Sequence, residues 1–285
     1  MGETAIGPKV HIIGESKKFS MISLTSDVER EITRKFISFL QRYEVRLILV
    51  ESSGPEFSFS KSWNKGIMTF NMNPTDYVLF SHDDVSFTDD NFLKFLSYSE
   101  NVDGNVVITP IFEENGEIVH PFIPILTRGF YRYASMGSHI PPFLMQFLQP
   151  IRQRLSARYF QRPSKEDSLP DTVPHNSLAR FLPISLMSAD TLRHIGLFDE
   201  SLYFGEDIDF EISAYLHGVS FLTLYSVKAN HIGSYSVGKR ENKGRKEKYQ
   251  HLRKELIAHS MISKKYGNAM KDLVKRAETQ TVIVK

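Results

Sequence analysis

Cysteine is missing altogether from this chain of 285 residues. Its absence excludes a disulfide framework and a cysteine-ligated zinc site, and it suits a reducing cytosol. Long apolar runs are missing too: none approaches the roughly 20 residues that span a bilayer. The opening stretch MGETAIGPKVHIIGESKK has no apolar core and no small-residue cleavage pattern, so no signal peptide is expected. Neither sign of charge dominates, with 35 Lys and Arg against 33 Asp and Glu, and a net +2 points to no partner as a sum. Its distribution says more, because Lys and Arg outnumber Asp and Glu about three to one from Gly238 to Arg276. There is no internal repeat and no low-complexity block. A hydrophobic content of 41% with 24% charged residues is ordinary for a globular protein, and one large α/β domain can reach this length.

What is present is an alternation of strand-like and helix-like segments. FSMISLT (Phe19 to Thr25) reads as a buried strand. Ser26 and Glu29 then fit a capping box, and apolar residues at helical spacing predict a helix from Val28 to Tyr43. VRLILV (Val45 to Val50) is apolar almost throughout, as a strand covered on both faces should be. A helix is expected over Ser60 to Met72, a strand over Tyr77 to Phe80, a helix capped by Thr88, and a strand over Val106 to Pro110. The stretch from His120 to Leu182 is rich in proline, aromatic and basic residues and holds no sustained period. Alternation resumes with a strand near Pro183 to Met187, a helix ended by Gly196, a helix from Asp207 to His217 ended by Gly218, and a strand from Phe221 to Tyr225. The pattern predicts a mostly parallel, doubly wound sheet with a charged helical segment after it.

Three places concentrate groups that can do chemistry. His82-Asp83-Asp84 follows a buried strand, at the end where open α/β sheets bind ligands. If extended geometry persists, His82 and Asp84 share a face and Asp83 points away. Oxygen ligands suit Mg²⁺ or Mn²⁺, and the imidazole tilts the choice to Mn²⁺; a simple Asp-rich turn is the plainer alternative. In GLFDESLYFGEDIDFEISAYLHG, six carboxylates lie between Asp199 and Glu211, with Glu206 and Asp207 at a helix start. Either they are ordinary helix-start acids favoured by the dipole, or one is a general base. His231 follows the last strand, as a core histidine or as a third ligand for the same metal.

Taken in order, these segments resemble a family 2 glycosyltransferase of the GT-A fold. SFSKSWNKGI resembles the family's Asn-x-Gly-Ile segment at Asn64 and Gly66, and YVLFSHDDV resembles the strand ending in its Asp-x-Asp metal motif. NVVITPIFEENG is similar to the next strand. LMSADTLRHIGLFDESLYFGEDIDFEI resembles the family's Gly-x-Phe-Asp-Glu and Glu-Asp-x-Asp stretch, and SVKANHIGSYS its closing histidine. His82 stands at the first position of the metal motif, as in a bacterial rhamnosyltransferase-like subgroup that carries His-x-Asp-Val. Glu51 replaces the usual strand-ending Asp, and Thr25-Ser26-Asp27 replaces Pro-x-Tyr-Asn.

The resemblance implies a GT-A, Rossmann-like sheet flanked by helices over residues 1–237. Residues 120–182 would be an insertion that shapes the acceptor site, and 238–285 a basic helical extension. It implies an inverting, metal-dependent glycosyltransferase using a nucleoside diphosphate sugar, UDP- or dTDP-linked, with Mn²⁺ or Mg²⁺. The acceptor would be a glycan or lipid-linked hydroxyl in cell-surface polysaccharide synthesis. Asp84, His82 and His231 would hold the metal. Thr25, Glu51, Asn64 and Asp83 would face the nucleoside, and Asp207, with Glu206 second, would be the base. A cytoplasmic protein is expected. Its basic segments either lie on an anionic membrane or are solvated helices or a dimer contact. No nucleic-acid reading motif accompanies them. The competing readings are a sugar-nucleotide nucleotidyltransferase, which should carry a glycine-rich phosphate loop that ISLTSDVER lacks, and a non-catalytic sugar-nucleotide or glycan binder.

Overall fold

A computed structural model describes residues 7–16, 18–53, 57–71, 73, 76–100, 104–114, 116–119, 172–175 and 182–232, with scattered helical positions between 254 and 269. The expected insertion and C-terminal extension therefore lie mostly outside the described residues. In chain order the elements are β1 (Lys9–Ile13), β2 (Phe19–Thr25), α1 (Glu31–Leu40), β3 (Val45–Glu51), α2 (Phe59–Thr69), β4 (Tyr77–His82) and β5 (Val85–Ser86). They continue with α3 (Asp89–Ser97), β6 (Val106–Glu114), β7 (Glu117–Val119), β8 (Thr172–His175), β9 (Ile184–Ser188), α4 (Ala189–Ile195), α5 (Glu206–Leu216) and β10 (Ser220–His231).

The strands form one sheet in the order β1-β3-β2-β4-β9-β6-β10-β5, with β7 on β6 and β8 on β10. β3, β2 and β4 run parallel, as do β6 and β10. β9 is antiparallel to both β4 and β6, so those two halves point the same way. The expected α/β sheet flanked by helices is present, and it is mixed: β9 runs against its neighbours in the middle and β1 runs antiparallel on an edge. Chain order around β2 reverses, with β3 on one side and β4 on the other. The crevice at the carboxyl ends of β2 and β4 is thus a switch point, where such sheets receive ligands. The ends of β3, β6 and β10 open on the same edge.

Alternating side chains sort the core into two layers. Ile22, Ile48, Val50 and Phe80 pack with Trp63 and Ile67 of α2, Leu192 of α4 and Phe210 of α5. Met21, Leu47, Leu49 and Leu79 pack on the other face with Phe36 of α1 and Phe92 and Phe95 of α3. Gly66 lets α2 lie directly on the sheet, because a Cβ there would come within 2.4 Å of Ile22 Cγ2.

Helix punctuation follows the sequence in most places. Thr88 and Ser188 accept from Asn91 N and Thr191 N as side-chain caps of α3 and α4. α1 departs from expectation. It begins at Glu31 with Arg30 as an N-cap that makes no side-chain cap bond, not at Val28 with Ser26. The physical reason is a competing turn: Asp27 N donates to Thr25 Oγ1, Glu29 N donates to Asp27 Oδ1, and Ser26 Oγ accepts from Arg30. β10 is longer than predicted, and its pairing with β6 shifts register between Leu224 and Lys228, opposite Pro110 and Ile111. Pro110 offers no N–H to the ladder, so an irregularity is placed where a bond is missing anyway.

Candidate metal centre and acidic helix

The turn Asp83-Asp84 sends the chain back into the short strand β5, which pairs antiparallel with the end of β10. His231 sits opposite Val85, and Ile232 N donates to the Asp84 carbonyl at 3.1 Å. Backbone pairing thus carries a residue from the far end of the sequence to the mouth of β4. His231 Nε2 lies 3.3 Å from Asp84 Oδ1, and His82 Nδ1 lies 4.0 Å from the same oxygen. One ligand atom from each of His82, Asp84 and His231 falls within 4.8 Å of the others.

Asp84 Oδ1 is buried and makes no hydrogen bond. A buried carboxylate oxygen without one is costly, and a cation is the partner that would satisfy it. Ligands of one octahedral ion at about 2.1 Å stand roughly 3 Å apart when adjacent, close to the 3.3 Å between His231 and Asp84, whereas His82 at 4.0 Å would have to draw in. Two imidazoles and one carboxylate suit Mn²⁺ better than Mg²⁺ and leave further positions open. Burial lowers the His82 pKa against the pull of Asp84, which favours a neutral ring with a free lone pair. That ring stacks on Trp63 at 6.3 Å between centroids.

Glu114, at the end of β6, accepts from His231 Nδ1 at 2.6 Å. This carboxylate was not anticipated from sequence; only the pairing of β6 with β10 brings it there. Burial opposes charge on His231, but the close contact with Asp84, the bond to Glu114 and the charges of both carboxylates outweigh it and raise its pKa to about 9. The Asp84 pKa is lowered: burial works upward, and the His231 contact with the nearby imidazoles outweighs it. Positive charge is thus favoured between these two carboxylates: the His231 imidazolium supplies it alone, and a bound cation would displace the Nε2 proton and take that place.

Asp83 lies in the turn after β4, which ends at His82, so strand alternation does not reach it; its hydrogen bond turns it toward α1. Its Oδ2 accepts from Thr33 Oγ1 at 2.6 Å, and Thr33 lies 3.0 Å from Thr25 Oγ1. Thr25 and Asp83 are therefore joined through α1 along the switch-point crevice, and Thr33 is a further residue that sequence reasoning missed. Glu51 closes the same edge, one oxygen 3.0 Å from His11 Nε2 of β1 and the other accepting from Val28 N at 3.4 Å.

Gly205, with φ of 73°, turns the chain into α5 in a conformation that favours glycine. Glu206 is buried beneath that turn, and desolvation together with the Asp207 charge raises its pKa well above the ordinary carboxylate value. The neutral acid is favoured there, beside the more exposed Asp207. Asp207 Oδ1 accepts from Ile208 N, and the Asp207 charge is felt at His82. Asn64 is placed differently from the rest. Its amide donates to Phe198 O and Glu200 Oε1 and accepts from Phe198 N, which commits both donors to bracing the loop before α5.

No family model and no curated protein matches the chain. Solved structures share its course at low scores. GalNAc-T7, crystallised with UDP, GalNAc and Mn²⁺, superposes on 94% of this chain with a TM-score of 0.49 and 11% identity. The chain spans about half, 51%, of that protein's length. Residues 1–349 of S. aureus TarS superpose on 94% of this chain and 76% of that one, with a TM-score of 0.45 and 13% identity. Likenesses this weak assign no residue a role; the roles rest on the geometry above.

Proposed function

We propose that the chain is a metal-dependent glycosyltransferase that moves a sugar from a nucleoside diphosphate sugar, UDP- or dTDP-linked, to a hydroxyl of a glycan or lipid-linked acceptor. The observation that carries this reading is Asp84 Oδ1, buried, without a hydrogen bond and flanked by His82 and His231 at the sheet's switch point. The order of motifs around it, from Asn64 to His231, is that of the family 2 transferases it resembles.

A divalent cation held by Asp84, His82 and His231 would offset the charge that gathers on a departing diphosphate. Asp207 is the acceptor of the attacking hydroxyl's proton, since that hydroxyl is far too weak an acid to ionise unaided. Glu206, kept neutral by burial, stands beside it without competing for the same proton. Attack from the side opposite the diphosphate inverts the anomeric centre. Thr25, Glu51 and Asp83 line the crevice where the nucleoside fits, and Asn64 supports it through the loop it braces. Cell-surface polysaccharide synthesis and a cytoplasmic location, with basic segments against the membrane, belong to the same reading. Among the described residues no helix is long and apolar enough to cross a membrane.

The test is turnover of UDP-, dTDP- and GDP-sugars with Mn²⁺, followed as slow donor hydrolysis. Asp207→Asn should lower the rate by about 100-fold or more while nucleotide binding stays. Wild-type turnover in that variant places the base elsewhere. Binding of donors without turnover by the wild type favours the non-catalytic binder.

A further inference from the structure

The loop that presents Glu206 and Asp207 is held from two sides. From the sheet, α2 grips it through Asn64 and through Ser60 Oγ, which donates to Leu202 O at 3.2 Å. From outside, a C-terminal helix, described at positions including Lys254, Ala258, 260–262 and 264–267, closes over it. Ala258 and Ile262 of that helix are buried at a spacing of one turn, Ile262 within the core layer of α2 and α5, and Tyr266 packs against that layer one turn further on.

The polar contacts of this helix converge on the same loop. Lys265 Nζ donates to Asp199 Oδ2 at 2.8 Å and to Asp209 Oδ2 at 2.9 Å. Tyr266 Oη lies 2.9 Å from Asp209 Oδ1 and 3.0 Å from the Asp209 carbonyl oxygen. Asp199 and Asp209 lie either side of Glu206 and Asp207 in sequence, so one ammonium ties together both ends of the segment that holds them. Between those ends, Lys254 Nζ stands 4.0 Å from the centre of the Tyr203 ring.

We propose that Lys265 and Tyr266, with Lys254, are positioning residues for the Glu206–Asp207 pair, so that the C-terminal helix is a clamp on the catalytic loop. The proposal rests on the transferase reading above. Its physical basis is a difference in sensitivity. Lys265 is 41% exposed, and an ion pair at such a site contributes little to overall stability. Rate is far more demanding, because displacing a reacting group by about 1 Å can cost on the order of 100-fold. Both lysines are exposed along their stems and turn their ammonium groups to the catalytic loop.

The experiment compares full-length wild type with Lys265→Ala, Lys265→Arg and Tyr266→Phe, using whichever donor the wild type turns over with Mn²⁺. The rate at saturating donor and the Mn²⁺-dependent affinity for UDP are measured separately. Lys265→Ala should lose about tenfold or more in kcat with UDP affinity within about twofold of wild type. Lys265→Arg should recover most of the loss, and Tyr266→Phe should show a smaller fall of the same kind. Tyr266→Phe removes a single hydroxyl and decides the matter if Lys265→Ala does not fold. Wild-type kcat in both Lys265→Ala and Tyr266→Phe overturns the proposal, as does an equal loss in UDP affinity. A wild type that turns over no donor removes the transferase reading and the proposal with it. A working wild type with indifferent variants removes the proposal alone.

Discussion

Glu114 accepts the Nδ1 proton of His231, which turns Nε2 toward Asp84. A histidine ligand gains both orientation and basicity from such a partner, and losing it commonly costs 10–100-fold in metal affinity. Glu114→Ala should therefore weaken Mn²⁺ binding by about that factor, measured by calorimetry. Glu114→Gln keeps an acceptor oxygen and should lose less. Equal affinity in wild type and Glu114→Ala would place no metal at His231. Glu114 also shows where residue-level reading stops. Its sequence context, an acid at the end of an apolar strand, is visible. Its partner lies 117 positions away, and only the β6–β10 pairing joins them. By contrast His82 and Asp84 are near neighbours in sequence, and the turn after β4, not strand alternation, brings Nδ1 and Oδ1 to 4.0 Å.

At the scale of elements, the C-terminal helix and the loop before α5 form a unit with its own pH dependence. The Asp199 pKa is lowered to about 2, first by its bond to Lys265 and then by Ser201. A carboxylate depressed in the folded state stabilises it fully above its ordinary value near 4, and that contribution fades as pH falls toward 2. Lys265→Ala should thus be slightly less stable than wild type near neutrality, by an amount on the order of 1 kcal/mol or less for so exposed a pair, and the gap should narrow between pH 4 and 2. Urea unfolding at several pH values measures it; a gap independent of pH would mean that Asp199 does not carry the tie. Local rules located the starts of α3 and α4 at their caps Thr88 and Ser188 and the ends of α4 and α5 at Gly196 and Gly218, each near in sequence to what it bounds. They failed at α1, where the Thr25–Asp27 turn outcompetes Ser26. They also missed β1, an edge strand that exists because it pairs with β3.

At the scale of the molecule, the alternating layers were legible because a sheet covered on both faces needs near-continuous apolar strands, and VRLILV is one. The antiparallel course of β9 was not, since strand direction leaves no mark on apolar pattern. What the fold achieves is convergence: residues from β4, the following turn and β10 meet at one crevice, beside a helix start held by two flanking helices. The most direct measurement is titration of the full-length protein with UDP, with and without Mn²⁺, followed by calorimetry and by the fluorescence of Trp63. Trp63 is the chain's single tryptophan, and its ring stacks on His82. UDP binding should be saturable and require Mn²⁺, should change Trp63 emission, should persist in Asp207→Asn, and should vanish in Asp84→Ala. Binding that ignores the metal, or that survives unchanged in Asp84→Ala, would contradict the account.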